Sequence, residues 1–195
     1  MKSAIARHGF SSFGARHAAT ILNCLRRLEQ SPPPEAYVSL DSSAETILAD
    51  SDHVSSSHLV RSLSLGASWA ELPPLFAKQI KSKNFARVFV SSAKDGYDTA
   101  SIGRLAESYA RLGKPAPRHF FSAVDKQGGW LARNMKGEEV ARVLSSFAEV
   151  DYMATKLCEH LERKVRSNHV KERTCDCTTH PGYLLVAFRR RSTRS

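Results

Sequence analysis

The sequence predicts a mostly α-helical protein, a short solenoid-like stack of antiparallel helical hairpins with extended N- and C-terminal segments. Three observations carry that expectation. From His58 onward the apolar residues fall at helical spacing rather than in strict alternation. Two amphipathic windows match position for position at an offset of 38 residues. Prolines and cap-forming residues stand where a second helix would begin after each window.

Composition narrows the class of partner before any motif is considered. The 195 residues carry 29 Lys and Arg against 19 Asp and Glu, a net charge of +10 and a pI near 9.7. That excess favours a polyanionic partner such as nucleic acid or an acidic membrane surface. No apolar run reaches 18 residues, so no transmembrane segment is expected. The four cysteines are too sparse for a disulfide framework and no secretory segment precedes them, which points to a reducing compartment.

Residues 1–35 read as a basic, transit-like or extended segment. Lys2, Arg7, Arg16, Arg26 and Arg27 come before or around the first acidic residue, Glu29, in a stretch rich in Ser and Ala. Basic, acid-poor amphipathic segments of this kind are what mitochondrial or plastid transit peptides look like, and the mitochondrion is preferred on base rate alone. The run Pro32 to Pro34 then stiffens the chain. Residues 36–57 read as a short acidic helix and linker, with a capping box expected from Ser42 and Glu45 and a break at SDHVSSS.

Residues 58–167 read as the hairpin domain. In TASIGRLAESYARLG the apolar set is Ile102, Leu105, Ala106, Tyr109, Ala110 and Leu112. In GEEVARVLSSFAEVD it is Val140, Val143, Leu144, Phe147, Ala148 and Val150, each 38 positions later. Each set forms one stripe along a helix. The next helix follows Pro117 in one unit and is expected to be capped by Asp151 in the other, with Phe120 and Val124 matching Leu157 and Leu161 at 37. A looser copy begins at Leu59 and Leu63 and continues through Pro73-Pro74 to Phe76 and Ile80, at an offset of 43 to 44 that requires an insertion around Phe85 to Lys94. A fixed period of this size is the mark of stacked helical repeats. Residues 168–195 form a basic tail whose apolar run Tyr183 to Phe188 suits an added strand or a helix end.

At LAESYARL and VLSSFAEV the pattern resembles the organellar helical repeats of the RAP, FAST-kinase-like and heptatricopeptide group, over about residues 58–167. The resemblance implies an α/α fragment, an organellar location and binding to RNA or to a ribonucleoprotein such as the mitochondrial ribosome. It lacks a RAP-type C-terminal module, so a piece embedded in a larger assembly fits better than a free-standing RNA reader.

Chemistry-bearing motifs are sparse. Cys175, Cys177 and His180 offer three zinc ligands, with Cys158, His160 or His169 in reserve, but not the usual C-x-x-C spacing, and no metal or other cofactor is expected. No nucleophile elbow or phosphate loop occurs, and Gly128-Gly129 reads as the turn that ends the Phe120 helix. No catalytic residue is assigned. The expected RNA contacts are Arg104, Arg111, Lys114, Arg118, Lys126, Arg133 and Lys136 in the middle of the chain, and Arg189, Arg190, Arg191 and Arg194 in the tail. Trp130 and the run from His119 to Phe121 are either stacking faces or core.

These readings converge on an expectation: a non-enzymatic structural subunit of a mitochondrial ribosome, in the matrix, that contacts ribosomal RNA and neighbouring ribosomal proteins in a hetero-oligomeric assembly. The alternatives are an accessory subunit of a respiratory or ATP-synthase complex, and a stand-alone mitochondrial RNA-binding or processing factor.

Overall fold

The computed structural model describes residues 14–174 apart from Ser31, Pro33 and Gly66, with side chains described as far as Ser167. Among the described residues there are eleven helices and no strand. They are α1 (Ala15–Arg27), α2 (Pro34–Ser42), α3 (Ala44–Ala49), α4 (His53–Ser64), α5 (Pro74–Ile80), α6 (Lys83–Asp95), α7 (Thr99–Leu112), α8 (Arg118–Lys126), α9 (Gly128–Asn134), α10 (Gly137–Glu149) and α11 (Thr155–Thr174). None of them is long and apolar enough to cross a membrane.

Local chemistry sets the ends of these helices. Asp52, Ser82 and Asp98 accept backbone N–H groups of Ser55, Phe85 and Ser101 at 2.6, 3.1 and 3.0 Å, capping α4, α6 and α7. Glu139 reaches back to the amide of Lys136 at 3.0 Å and secures the start of α10. Pro34 and Pro74 are the first residues of α2 and α5, positions where a missing N–H costs nothing. Four helices stop on a residue with positive φ: Glu29 (52°) after α1, Tyr97 (54°) after α6, Gly113 (82°) after α7 and Asp151 (54°) after α10. Of these only the residue after α7 is glycine.

Helices α1, α4, α7 and α10 lie side by side in that order. All four run in the same direction. Ser62 of α4 lies 3.4 Å from the Ala19 carbonyl of α1. Ser57 of α4 meets Ser101 of α7 at 3.4 Å. Thr99, at the start of α7, donates to Glu139, in the first turn of α10, at 2.7 Å, while Lys114 and Asp151 pair just past the ends of the same two helices. Parallel neighbours require a returning segment between them, and α2–α3, α5–α6 and α8–α9 provide it. α11 extends this second set of helices by packing on α8 and α9.

The returning helices are tied to one another by buried or half-buried carboxylates. Asp41 of α2 accepts the Phe76 N–H at the start of α5 at 2.9 Å. Asp125 of α8 accepts the Leu157 N–H at the start of α11 at 3.0 Å. Each satisfies one of the orphan amides that any helix leaves at its N-terminus.

Between the two sets lies a continuous apolar core that includes residues of α1 as well as those of the later helices. Its centre is a chain of rings: Phe89 against Phe120, Phe120 against Tyr109 and Phe121, and Phe121 against Phe147 and Tyr152, with centroids 5.0 to 6.2 Å apart in these contacts. Phe120 and Phe121 are fully buried and Trp130 is half-buried against the core, whereas His119 is exposed. The aromatic run is therefore core at the two phenylalanines.

Several expectations are corrected. Ser42 does not begin a capping box; it closes α2, its hydroxyl donates to the Ser39 carbonyl at 3.0 Å, and α3 starts at Ala44. The break at SDHVSSS is confined to its start: the short acidic helix ends at Ala49, and after Ser51 and Asp52 a new helix, capped by Asp52, begins at His53 and buries Ser56 and Ser57. The insertion expected around Phe85 to Lys94 forms most of a helix, α6. Asp151 does not cap α11, which begins at Thr155. Gly128 and Gly129 open α9 rather than form the turn, which falls at Gln127. A Cβ at Gly128 would stand 2.7 Å from the Leu157 nitrogen, so glycine is there for a close backbone approach.

Candidate nucleic-acid interface

The seven mid-chain cations expected to contact RNA divide into two groups. Arg104 is turned into the helix packing: its guanidinium donates to Ser101 at 2.7 Å and to Ser57 at 3.3 Å, and lies 3.8 Å from Asp98. It joins α4 to α7. Arg111 pairs with Glu107 at 2.5 Å one turn back on α7, and Lys114 pairs with Asp151. These three charges already have partners within the fold.

Arg118, Lys126, Arg133 and Lys136 are exposed on α8, α9 and the N-cap of α10. Among the described residues no carboxylate forms an ion pair with any of them. Arg118 and Lys126 stand at opposite ends of α8, about 12 Å apart along its axis at the helical rise. Arg118 also borders a small cleft of about 170 Å³ with Lys114, Phe121 and Tyr152. The tail arginines Arg189, Arg190, Arg191 and Arg194, and the zinc candidates Cys175, Cys177 and His180, lie outside the described residues, as do the structural surroundings of His169. Among the described residues no three metal-binding side chains cluster, and the thiols of Cys24 and Cys158 are free. Burial raises the Cys158 pKa first, with the nearby Asp125 and Glu162 carboxylates adding to it.

Sequence reasoning missed a second basic site. The segment taken as an import signal contains α1, whose Ala15, Ala18, Ala19, Leu22 and Leu25 are buried. Its C-terminal half and that of α4 border a cleft of about 460 Å³ that gathers Arg26, Arg27, His58 and Arg61 with Asn23 and Ser62. No acidic residue lines it. A sequence signal existed: α1 and α4 begin 38 positions apart, the same spacing as the two later windows.

A half-buried polar line pins α4, α6 and α7 together. His53 Nδ1 lies 3.0 Å from Ser92 Oγ, and its Nε2 lies 3.4 Å from Asp98 Oδ2. The residue types are those of a hydrolytic triad, but the serine meets the nitrogen that the carboxylate would hold in such a triad. Burial pushes the Asp98 carboxyl up, yet hydrogen bonds from Ser101 and the charges of Arg104 and His53 leave it below the usual range. Neither cleft described above touches these residues. The arrangement fastens helices.

Compared with protein-family models, with curated proteins and with solved structures, the chain matches none.

Proposed function

We propose that this chain is a non-enzymatic structural subunit of the mitochondrial ribosome, a helical scaffold that binds ribosomal RNA and packs on neighbouring ribosomal proteins. The observation that carries the RNA half is the exposed set Arg118, Lys126, Arg133 and Lys136, four cations without a carboxylate partner among the described residues. Uncompensated like charges on one stretch of a scaffold repel each other until a polyanion covers them. The acid-poor basic start of the chain supports the mitochondrial address.

The scaffold itself is a run of four hairpin repeats, residues 15–49, 53–95, 99–134 and 137–174. Several regularities support this reading. The first helix of each unit packs on the first helix of the next. The caps Asp52 and Asp98 open the second and third units. Positive-φ residues close the first helices of units one, three and four. Asp41 and Asp125 each cap the returning helix of the following unit. Such a stack buries apolar faces between neighbours and leaves its ends and edges for partners.

The test is native sedimentation of the full-length tagged chain from mitochondria. The proposal expects it to travel with a ribosomal subunit in high salt and to be released when ribosomal RNA is digested. A chain that stays at the top of the gradient overturns the ribosomal reading. Persistence in a membrane complex after nuclease treatment supports an accessory respiratory or ATP-synthase subunit instead.

A further inference from the structure

We propose that the cleft between α1 and α4 is a phosphodiester-binding site for single-stranded RNA, formed by Arg26, Arg27 and Arg61 with Asn23 and Ser62 as neutral donors. The proposal rests on the RNA-binding reading above and locates a contact that none of the exposed cations on α8 to α10 provides.

The parallel packing of α1 on α4 builds the site. Because the two helices start together, their last turns also end together. Arg26 and Arg27 therefore come to Arg61, respectively 35 and 34 positions later in the chain, across one concave surface. In an isolated helix the two arginines of α1 would merely complement the negative end of its dipole. Here they share a cleft with a third guanidinium, and among the described residues none of the three forms an ion pair. A volume of about 460 Å³ accommodates a phosphodiester with its flanking sugars. Guanidinium forks match the paired oxygens of a phosphate, and the contacts carry no base specificity.

His58, which also lines the cleft, reports its potential independently of any variant. Burial lowers its pKa first, and the positive charges of Arg104 on α7, Arg61 on α4 and Arg16 on α1 lower it further, against a smaller opposing pull from Asp98 on α7. A phosphate seated among these arginines stabilises the imidazolium. Occupancy of the cleft therefore moves the histidine pKa upward.

The experiment uses the full chain and a short fluorescently labelled oligouridylate, read by anisotropy across a salt series. Arg26→Ala, Arg27→Ala and Arg61→Ala combined are expected to weaken binding at least about tenfold and to reduce the log–log salt slope by about 2, at about 0.7 per single-strand phosphate contact. The charge-matched set Lys83→Ala, Arg87→Ala and Lys94→Ala on α6, outside the cleft, is expected to stay within about twofold of the original. NMR of the unaltered chain is expected to show the His58 pKa rising when the RNA is added. If the chain binds RNA while the cleft variant matches it and His58 does not move, the cleft assignment is overturned and the RNA reading stands. If the unaltered chain binds no RNA, both fall.

Discussion

The phenol of Tyr109, fully buried on α7, donates to the main-chain carbonyl of Ile80, the last residue of α5, at 2.7 Å. One bond thus joins the first set of helices to the returning set. The same ring lies edge-on to Phe120 at 5.0 Å and stacks on Trp69 at 5.8 Å, while the Trp69 indole donates to Gly113 at 2.7 Å just beyond the end of α7. Burial holds the phenol proton in place well above its ordinary pKa. Tyr109→Phe keeps the ring and removes the donor, leaving the Ile80 carbonyl without this partner. The expected cost is about 1–2 kcal/mol. At about 2–4 °C per kcal/mol for a chain of this size, a melting curve resolves it. An unchanged melting temperature would show that the bond contributes nothing net.

The adjacent glycines 128 and 129 make opposite predictions. A Cβ on Gly128 meets the backbone of Leu157 at 2.7 and 2.8 Å, so Gly128→Ala must push α9 away from α11. A cost of about 3 kcal/mol or more is expected, because backbone cannot swing aside. A Cβ on Gly129 meets only the His160 ring, at 3.1 Å, and that side chain can rotate. Gly129→Ala is expected to be near neutral or slightly stabilising, since alanine favours helix. Urea midpoints of the two variants, measured side by side, check the contrast.

Asp125 is a buried carboxylate whose bond to the Leu157 amide starts α11 from another helix. Asp125→Ala is expected to cost about 1–2 kcal/mol, the usual loss for a missing cap together with an unsatisfied amide. Asp125→Asn keeps an acceptor and is expected to lose less. Amide hydrogen exchange in the first turn of α11 separates the two: the alanine variant should expose the Leu157 amide, and the asparagine variant should protect it. Equal protection in both would remove the capping role.

The helical class was legible in the sequence because the apolar stripe through Ile102, Leu105, Ala106 and Tyr109 has helical spacing, and the structure buries all four. The first helix was not. The α1 stripe rests on Ala15, Ala18 and Ala19, small residues interleaved with arginines, and that composition is equally that of an import signal. Small side chains allow close packing on α4 and give little hydrophobic signal. The returning helices were misjudged for a related reason: α6 begins with Ser82 as a cap after a two-residue break from α5, so one returning segment contains two helices. Among the basic residues, sequence alone could not separate Arg104, bonded to Ser57 and Ser101, from exposed Arg118, because the partners of Arg104 come from another helix and from one turn back on its own.

On the mitochondrial reading proposed above, burial of α1 constrains where an import signal would be removed. A cut within α1 would strip Leu22 and Leu25 from the core and uncover the face of α4 on which they pack. Leu25 is 1% exposed, and Leu25→Ala alone is expected to cost about 2–5 kcal/mol. The organellar form is therefore expected to begin before Ala15 and to retain Arg26 and Arg27. Intact-mass measurement of the chain isolated from mitochondria checks it, and a mature end beyond Arg27 would contradict the retention of α1 and remove the cleft.

Acid is expected to weaken the fold in two steps with different owners. His58 has a folded pKa below its ordinary value of 6.5, so the unfolded chain binds that proton more readily. Stability is full above about 6.5 and falls as the pH drops from there toward the folded pKa. Asp52 and Asp98 also have folded pKa values below their ordinary 3.8: burial works against both, but the Ser55 amide holds the first and the Ser101 hydrogen bonds with Arg104 and His53 hold the second. Their contribution is present above about 3.8 and is lost only as the pH falls through the folded values. His58→Gln is expected to abolish the upper step and leave the lower one, whereas Asp52→Asn should shrink the lower step and leave the upper. Urea midpoints across the pH range measure both, and urea is the right denaturant because a charged one would screen the arginines that depress His58. An upper step that survives His58→Gln would assign it to another histidine and remove the support that this titration lends to a positive cleft between α1 and α4.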